Sequence, residues 1–362
     1  YGDIRQVEQW YRMGKSRDIE AFEEAMRIRA IPSFNVGYGD KEGNIWFIYN
    51  ALLPLRDERY NWRNYLPGDS SALLWSEYLP FEALPQVKNP KSGFIQNCNS
   101  TPFRTTTGDD NPRPEDYPDS LGVEGPEVMT NRALRALELF GADDSITEEE
   151  FYAYKLDKKY SKDSEAFALR QQIVETLNDD DPIVQEALAV LKNWDLSADM
   201  ENTGTAIAIL AMEPVARAKM FGNEIPDIKE LFVKRAHELH EAYGRIDVPW
   251  KEVNRLIRGE LSLPVAGGPD TLRAIYGDWN GKHLRAVAGD CFIIMVTWEP
   301  DGTVHSNTIH QYGSATLNED SPHYADQAHL FVKEQYRPVW LDYDELMQNK
   351  QIEYRPGDEV WH

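Results

Sequence analysis

The stretch from Lys88 to Thr105 constrains this chain most: Lys-Asn-Pro-Lys-Ser-Gly-Phe-Ile-Gln-Asn-Cys-Asn-Ser-Thr-Pro-Phe-Arg-Thr. A turn at Asn89-Pro90-Lys91-Ser92-Gly93 feeds a short apolar strand, and that strand ends in small polar side chains. Polar groups at the end of a buried strand are placed to line a pocket rather than to fill a core. Asn99 stands out among them. Its carboxamide donates two hydrogen bonds without carrying charge, which suits an acceptor oxygen that becomes anionic during a reaction. The competing reading is structural: Asn97, Asn99 and Ser100 bond to their own backbone and make a turn.

The rest of the chain supplies a core large enough to hold such a pocket. It has 362 residues, 41% of them hydrophobic and 11% aromatic, as in a folded globular protein of one large or two ordinary domains. Its net charge of -23, from 61 acidic and 38 basic residues, argues against nucleic acid and against anionic membrane surfaces. No apolar run reaches the roughly 18 residues of a membrane-spanning helix. Cys98 and Cys291 both read as small buried hydrophobes, and the sequence leaves a bridge between them open. No Cys/His group has zinc-type spacing.

Taken in order, Ser16 caps a predicted helix over Arg17 to Arg29, which Ile31-Pro32 ends. Phe34 to Tyr38 and Ile45 to Leu53 then form two strands around the turn Gly39-Asp40-Lys41-Glu42-Gly43. The long connection Asp57 to Gln86 is rich in aromatics, which anchor it on the core or line a binding pocket; Trp62 is the candidate for the second role. Thr105 to Glu124 is an acidic, proline-rich loop, able in principle to offer oxygen ligands to calcium. Pro126 to Phe140 reads as an amphipathic helix carrying Arg132 and Arg135, with Gly141 as its stop. Ser145-x-x-Glu148 is a capping-box pattern. From there to about Glu260 the periodicity is helical, over Asp163 to Leu177, Asp181 to Trp194, Gly204 to Phe221, Ile228 to Tyr243 and Trp250 to Arg258. Leu284 to Trp298 returns to β structure, and Asp301-Gly302 turns it into Thr303 to Gln311. His310 and Ser314 lie near each other in sequence, but no acid stands in a known relation to them, and they are set aside as a catalytic pair. Pro322 to Gln327 starts a closing helix, and the tail ends in Pro356-Gly357-Asp358.

Asn89-Pro90-x-Ser92-Gly93-Phe94-Ile95-x-Asn97-x-Asn99-x-x-Pro102 resembles the strand that carries the oxyanion-hole asparagine in the penicillin acylase and acyl-homoserine lactone acylase family. Gly43-Asn44-Ile45-Trp46-Phe47-Ile48-Tyr49, Leu66-Pro67-Gly68, Tyr78-Leu79-Pro80-Phe81, Leu84-Pro85, Asn193-Trp194-Asp195-Leu196, Trp250, Gly267-Gly268-Pro269-Asp270 and Ile309-His310-Gln311-Tyr312-Gly313-Ser314 resemble further segments in the family's order. The likeness runs from about Val7 to the C-terminus. Ile309 to Thr316 and Ser321 to Gln327 lean toward the lactone-acylase branch.

The resemblance implies an α+β fold, an N-terminal-nucleophile (Ntn) hydrolase αββα sandwich. Residues 1–140 would be its first part, 141–262 a large helical insert, and 263–362 its returning strands and closing helices. It implies hydrolysis of an amide, with an N-acyl homoserine lactone or a β-lactam side chain as candidate substrate. Asn99 takes the oxyanion role and Arg132 the role of steadying Asn99 and the nucleophile, with Arg135 a decoy. Trp62 would be a substrate contact and Asp119 a ligand of structural calcium (Ca2+); no cofactor is required for the chemistry. In that family the nucleophile is the first residue of the β chain, usually Ser, whose α-amine acts as base. This chain opens with Tyr1. It is therefore expected to be the C-terminal part of a β chain, with an α chain and a Ser-bearing β segment of the same processed precursor as partners, in the periplasm or secreted. A non-catalytic binding or assembly protein on the same fold is the alternative.

Overall fold

A computed structural model describes residues 4–31, 33–355 and 357–358. Tyr1, Pro32 and Pro356, which figure above as chain start, helix stop and tail, lie outside the described residues.

The N-terminal part is two helices, α1 (Gln6–Lys15) and α2 (Ile19–Met26), with a sheet of β1 (Phe34–Gly39), β2 (Ile45–Asn50) and β3 (Gln86–Lys88). The strands are antiparallel in the order β1-β2-β3, with Gly39 facing Ile45 across the turn. β2 is central, and Trp46, Phe47 and Ile48 are buried in it. Ile19 and Met26 of α2 share a core cluster with Trp46, Ile48, Phe81 and Leu84. Full burial of each such side chain contributes about 1.5–3 kcal/mol. The cap of α2 is Asp18, which accepts from the Ala21 N–H, and not Ser16. Ser16 instead donates to the Arg12 carbonyl and finishes α1.

The strand expected after the Asn89 turn belongs to no described sheet. β3 pairs with β2 before that turn, and Asn89 then takes a left-handed backbone with φ 49. Residues 94–96 run past the sheet with a bond from the Gln96 N–H to the Thr105 carbonyl at 2.8 Å. Phe94 and Gln96 are buried, Ile95 is half-buried and Asn97 is exposed, so the segment keeps a strand-like alternation.

Helices follow: α3 (Asn131–Gly141), α4 (Glu148–Lys155), α5 (Glu165–Thr176), α6 (Pro182–Asn193), α7 (Thr205–Phe221), α8 (Ile228–Tyr243) and the short α9 (Trp250–Val253). α3 starts at Asn131 and not at Pro126, because the Thr130 side chain accepts from the Ala133 N–H and fixes the start there. The capping box before α4 is Thr147 with Glu150, two residues beyond the predicted pair. α5 to α9 enclose an apolar cluster that includes Ile173, Leu191, Ile207, Phe232, Leu239 and Trp250. α7 runs unbroken through Pro214, which has no N–H to give the Leu210 carbonyl; that oxygen accepts from Arg235 Nε at 3.3 Å instead.

The helix predicted over Trp250 to Arg258 gives way after one turn to β4 (Asn254–Arg258), which pairs with β5 (Leu261–Pro264). Burial of Asn254 and Leu256 beside half-exposed Arg255 and Ile257 is a period of two, and Gly259 with φ 58 allows the tight turn. β4 and β5 join β6 (Ile275–Trp279) and β7 (Leu284–Gly289) in the order β5-β4-β7-β6, with β4 and β7 parallel. The strand predicted over Leu284 to Trp298 is two strands in different sheets. Gly289 breaks it at φ 115, where a Cβ would overlap the Ala274 carbonyl. β8 (Phe292–Trp298), β9 (Val304–His310) and β10 (Arg337–Pro338) make the last sheet, and α10 (Ala328–Val332) and α11 (Tyr343–Asn349) close the chain. Phe331 of α10 is buried with Ile293, Met295 and Ile309. Among the described residues no helix is long and apolar enough to cross a membrane.

Candidate active site

The turn that the sequence allows in the polar segment is made by one of its asparagines, and the other is left out of it. Asn97 makes the turn: its Oδ1 accepts from the Asn99 N–H and its Nδ2 donates to the Ser100 carbonyl, each at 3.3 Å. Asn99 takes φ 58, a left-handed conformation that asparagine tolerates better than most residues. Its side chain stays out of the turn. Thr130, the cap of α3, also donates to the Cys98 carbonyl at 2.8 Å, so one side chain ties the start of α3 to the loop bearing Asn99.

Arg132 completes the arrangement. Its Nη2 donates to Asn99 Oδ1 at 3.1 Å and its Nε to Asp270 Oδ1 at 3.0 Å. A guanidinium has no acceptor, so the oxygen of the Asn99 amide must face it and the NH2 group faces away. Asn99 is exposed, and that NH2 group is the part of the amide Arg132 leaves free. Burial disfavours the Arg132 charge, but Tyr276, Asp270 and Cys98 around it outweigh burial and raise its pKa. Arg132 is therefore a fixed cation. The Cys98 thiol beside it is pushed up by burial, against the pull of Arg132 and Lys155.

Asp270 is the partner of Arg132 that sequence reasoning leaves without a role. It lies 138 residues beyond Arg132, and no local pattern joins a helix-borne arginine to an acid on a distant turn. Arg135, one turn further along α3, binds Asp157 at 2.9 Å and Glu138, and so faces away from Asn99.

Trp62 and Asp119 are not brought to this group. Trp62 donates from Nε1 to the Asp57 carbonyl at 2.8 Å, and Arg56 stacks 5.6 Å from its ring, so its contacts hold its own loop together. Asp119 is exposed at the start of a turn of 3-10 helix whose Ser120 and Leu121 are buried, and among the described residues no group of three or more His, Cys, Asp or Glu side chains is placed to hold a metal ion. Cys98 and Cys291 are free thiols. Cys291 is exposed rather than buried, because it lies between β7 and β8 and not inside a strand.

The arrangement can orient an uncharged N–H donor toward an oxygen gaining negative charge, with a cation directly behind it. Such an arrangement can stabilise charge; supplying attack is a separate requirement.

The family described as penicillin amidase matches this chain over residues 2–348. Penicillin G acylase of Escherichia coli is 31% identical over 93 residues, 26% of this chain and 11% of that protein. Acyl-homoserine lactone acylase PvdQ of Pseudomonas syringae pv. syringae (strain B728a) is 21% identical over 386 aligned positions, 92% of this chain and 48% of that protein. The chain thus spans about half the length, or less, of these relatives. Among solved structures, thermostable penicillin G acylase from Alcaligenes faecalis superposes with a TM-score of 0.59 at 16% identity, covering 97% of this chain and 72% of that one. The fold is accordingly the α+β Ntn-hydrolase fold that the sequence leads one to expect. With nearly its whole length matched, the chain belongs to the penicillin amidase family.

Proposed function

We propose that this chain is the charge-stabilising portion of an acylase that hydrolyses linear amides by Ntn chemistry. The observation that carries the reading is the Arg132–Asn99 bond of 3.1 Å, which leaves the Asn99 N–H donors free. In the proposed reaction a Ser on another segment of the same processed precursor attacks the amide carbonyl, and its own α-amine takes the hydroxyl proton. The carbonyl oxygen becomes anionic and accepts from Asn99 Nδ2. The C–N bond then breaks, the leaving amine takes the proton from the α-amine, and water releases the acid from the acyl-enzyme. Arg132 holds the amide donor in position and keeps the nearby α-amine unprotonated through like charge.

The names of the relatives supply two substrate classes, N-acyl homoserine lactones and penicillin side-chain amides; the first would make the enzyme a quencher of lactone signals. The partners in this reading are an α chain and the Ser-bearing β segment, and the compartment is the periplasm or the medium. Asp119 would be a ligand of structural calcium in this reading.

Intact-mass measurement and N-terminal sequencing of every polypeptide in the purified protein come first. A companion chain beginning with Ser supports the reading, while a preparation of this chain alone that binds amides without cleaving them supports a binding protein instead. In the complete protein, Asn99→Ala should lower kcat by about 10²–10³, the usual effect of removing one oxyanion donor, without unfolding the chain. Full activity in that variant would remove Asn99 from the mechanism.

A further inference from the structure

We propose that Asp270 is a positioning residue for this reaction: it fixes the plane of Arg132 and, through Arg132, the direction in which Asn99 presents its N–H. The proposal rests on the oxyanion role of Asn99 given above. Both carboxylate oxygens of Asp270 are engaged. Oδ1 accepts from Arg132 Nε at 3.0 Å, and Oδ2 accepts from the Asn131 N–H, at the start of α3, at 2.6 Å. The Asp270 carbonyl also accepts from Asn131 Nδ2 at 2.8 Å. One residue thus grips the backbone that carries Arg132 and the guanidinium itself. Because a guanidinium is planar, holding Nε decides where Nη2 points, and Nη2 is the atom on Asn99.

The turn at 267–270 is built to hold Asp270 still. The Gly267 N–H donates to the Ala198 carbonyl at 2.9 Å, and Trp250 Nε1 donates to the Gly267 carbonyl at 2.8 Å. The Tyr160 hydroxyl donates to the Pro269 carbonyl at 2.7 Å. Gly267 has φ 93, and a Cβ on it would overlap the Arg273 carbonyl oxygen. A Cβ on Gly268 would come within 2.8 Å of Ile209 and 2.9 Å of the Tyr160 hydroxyl. Asp270 itself takes φ 59, a strained conformation for a residue with a side chain. Trp250 and Tyr160 belong to the apolar cluster of the helical region. That region, in which the sequence shows no chemistry, therefore supports the active site through one turn.

The test uses the complete natural protein with all its chains, and nitroanilides of phenylacetic and octanoic acids as probes. Asp270→Asn retains the shape, tolerates the left-handed backbone and offers one acceptor oxygen in place of two. It should lower kcat by about 10- to 100-fold, the scale of a misplacement of roughly 1 Å, with KM within about threefold and an unchanged melting temperature. In an Asn99→Ala background the same change should cost less than about twofold more, since coupled residues are not additive. Tyr160→Phe, which loosens the turn without touching Asp270, should lower kcat by about two- to tenfold, a milder form of the same misplacement. Unchanged kcat in both Asp270→Asn and Tyr160→Phe overturns the proposal, and so does full additivity with Asn99→Ala. Full activity of Asn99→Ala alone overturns the oxyanion reading instead, which keeps the two failures distinct. A crystal structure of Asp270→Asn decides the matter even if neither probe is cleaved. Arg132 Nη2 should withdraw from Asn99 Oδ1; retention of the bond at its present 3.1 Å overturns the proposal.

Discussion

Two arginines, Arg132 and Arg273, anchor two charged groups, and they differ in what is left over. Arg273 is 1% exposed. Its Nη1 donates to Asp290 at 3.3 Å, its Nη2 to the Phe331 carbonyl at 2.9 Å, and its Nε lies 3.5 Å from Glu334. Phe331 stacks 4.0 Å from its guanidinium, while Lys155 shares Asp290 Oδ2 with Arg273 and Lys158 holds the other oxygen of Glu334. This group joins the segment before β6, the β7–β8 connection, the end of α4 and α10 through charges that face one another, and it presents little to a ligand. Arg132 is 22% exposed and Asp270 29%. Here the chain of bonds ends on an Asn99 that faces solvent. The same chemistry, a guanidinium on a carboxylate, ties elements together where it is closed and aims a donor where it is open. Burial makes the difference, because a desolvated pair needs every partner it has, whereas a half-open pair can hand one on.

The largest effect expected from this contrast is on stability. Arg273→Met should destabilise the fold by about 3–5 kcal/mol, because it leaves Asp290 and Glu334 partly buried without one of their cations. Lys155 and Lys158 stay in place, which sets the lower end of that range as the expectation. The urea midpoint of the complete protein reads it, at constant slope. A loss of kcat without loss of stability would break the contrast. Arg132→Lys should do the opposite. Lysine keeps the charge but not the planar fork that reaches Asp270 and Asn99 together. We expect kcat to fall about 10- to 100-fold while stability moves by less than about 1 kcal/mol, as for other half-exposed pairs. A large stability loss with unchanged kcat would make Arg132 a second Arg273.

How much of this could be read beforehand depended on distance along the chain. α7 and α8 were legible almost to the residue, because their apolar periodicity is long and Gly222 and Gly244 stop them in left-handed conformations. β4 was misread because Leu256 and Ile257 fit a helix face as well as a strand, and only its pairing with β5 and β7 decides between them. Asn99 was legible as a free polar group at the end of an apolar segment. Its coupling to Arg132, 33 residues away, came from family likeness and not from spacing. Asp270 had a visible turn, Gly-Gly-Pro-Asp, but nothing in that turn names its partner. Contacts that join three distant elements leave no periodic trace.

The smallest expected effect concerns a third kind of buried charge, one that neither closes a group nor aims a donor. Glu213 precedes Pro214 in α7, its side chain only 17% exposed, beside a cavity of about 230 Å³ shared with Leu210, Arg217, Arg235 and Trp279. Arg217 stands 3.8 Å away, too far for a hydrogen bond. Burial raises the Glu213 pKa above its ordinary 4.5, and Arg217 opposes this only in part. The folded state therefore binds this proton more tightly than the unfolded state does. Stability from this group is full below 4.5 and is lost as pH rises through the raised folded value. Glu213→Gln removes that dependence, so its melting temperature should gain on the parent's as pH rises from about 4 to 8, levelling off once the parent carboxylate is ionised in both states. A variant that instead falls further below the parent as pH rises would mean that the ionised Glu213 is held by a cation in the folded state. Charge at Glu213 would then be a second closed group beside that of Arg273, and burial alone would no longer separate the two kinds of arginine site.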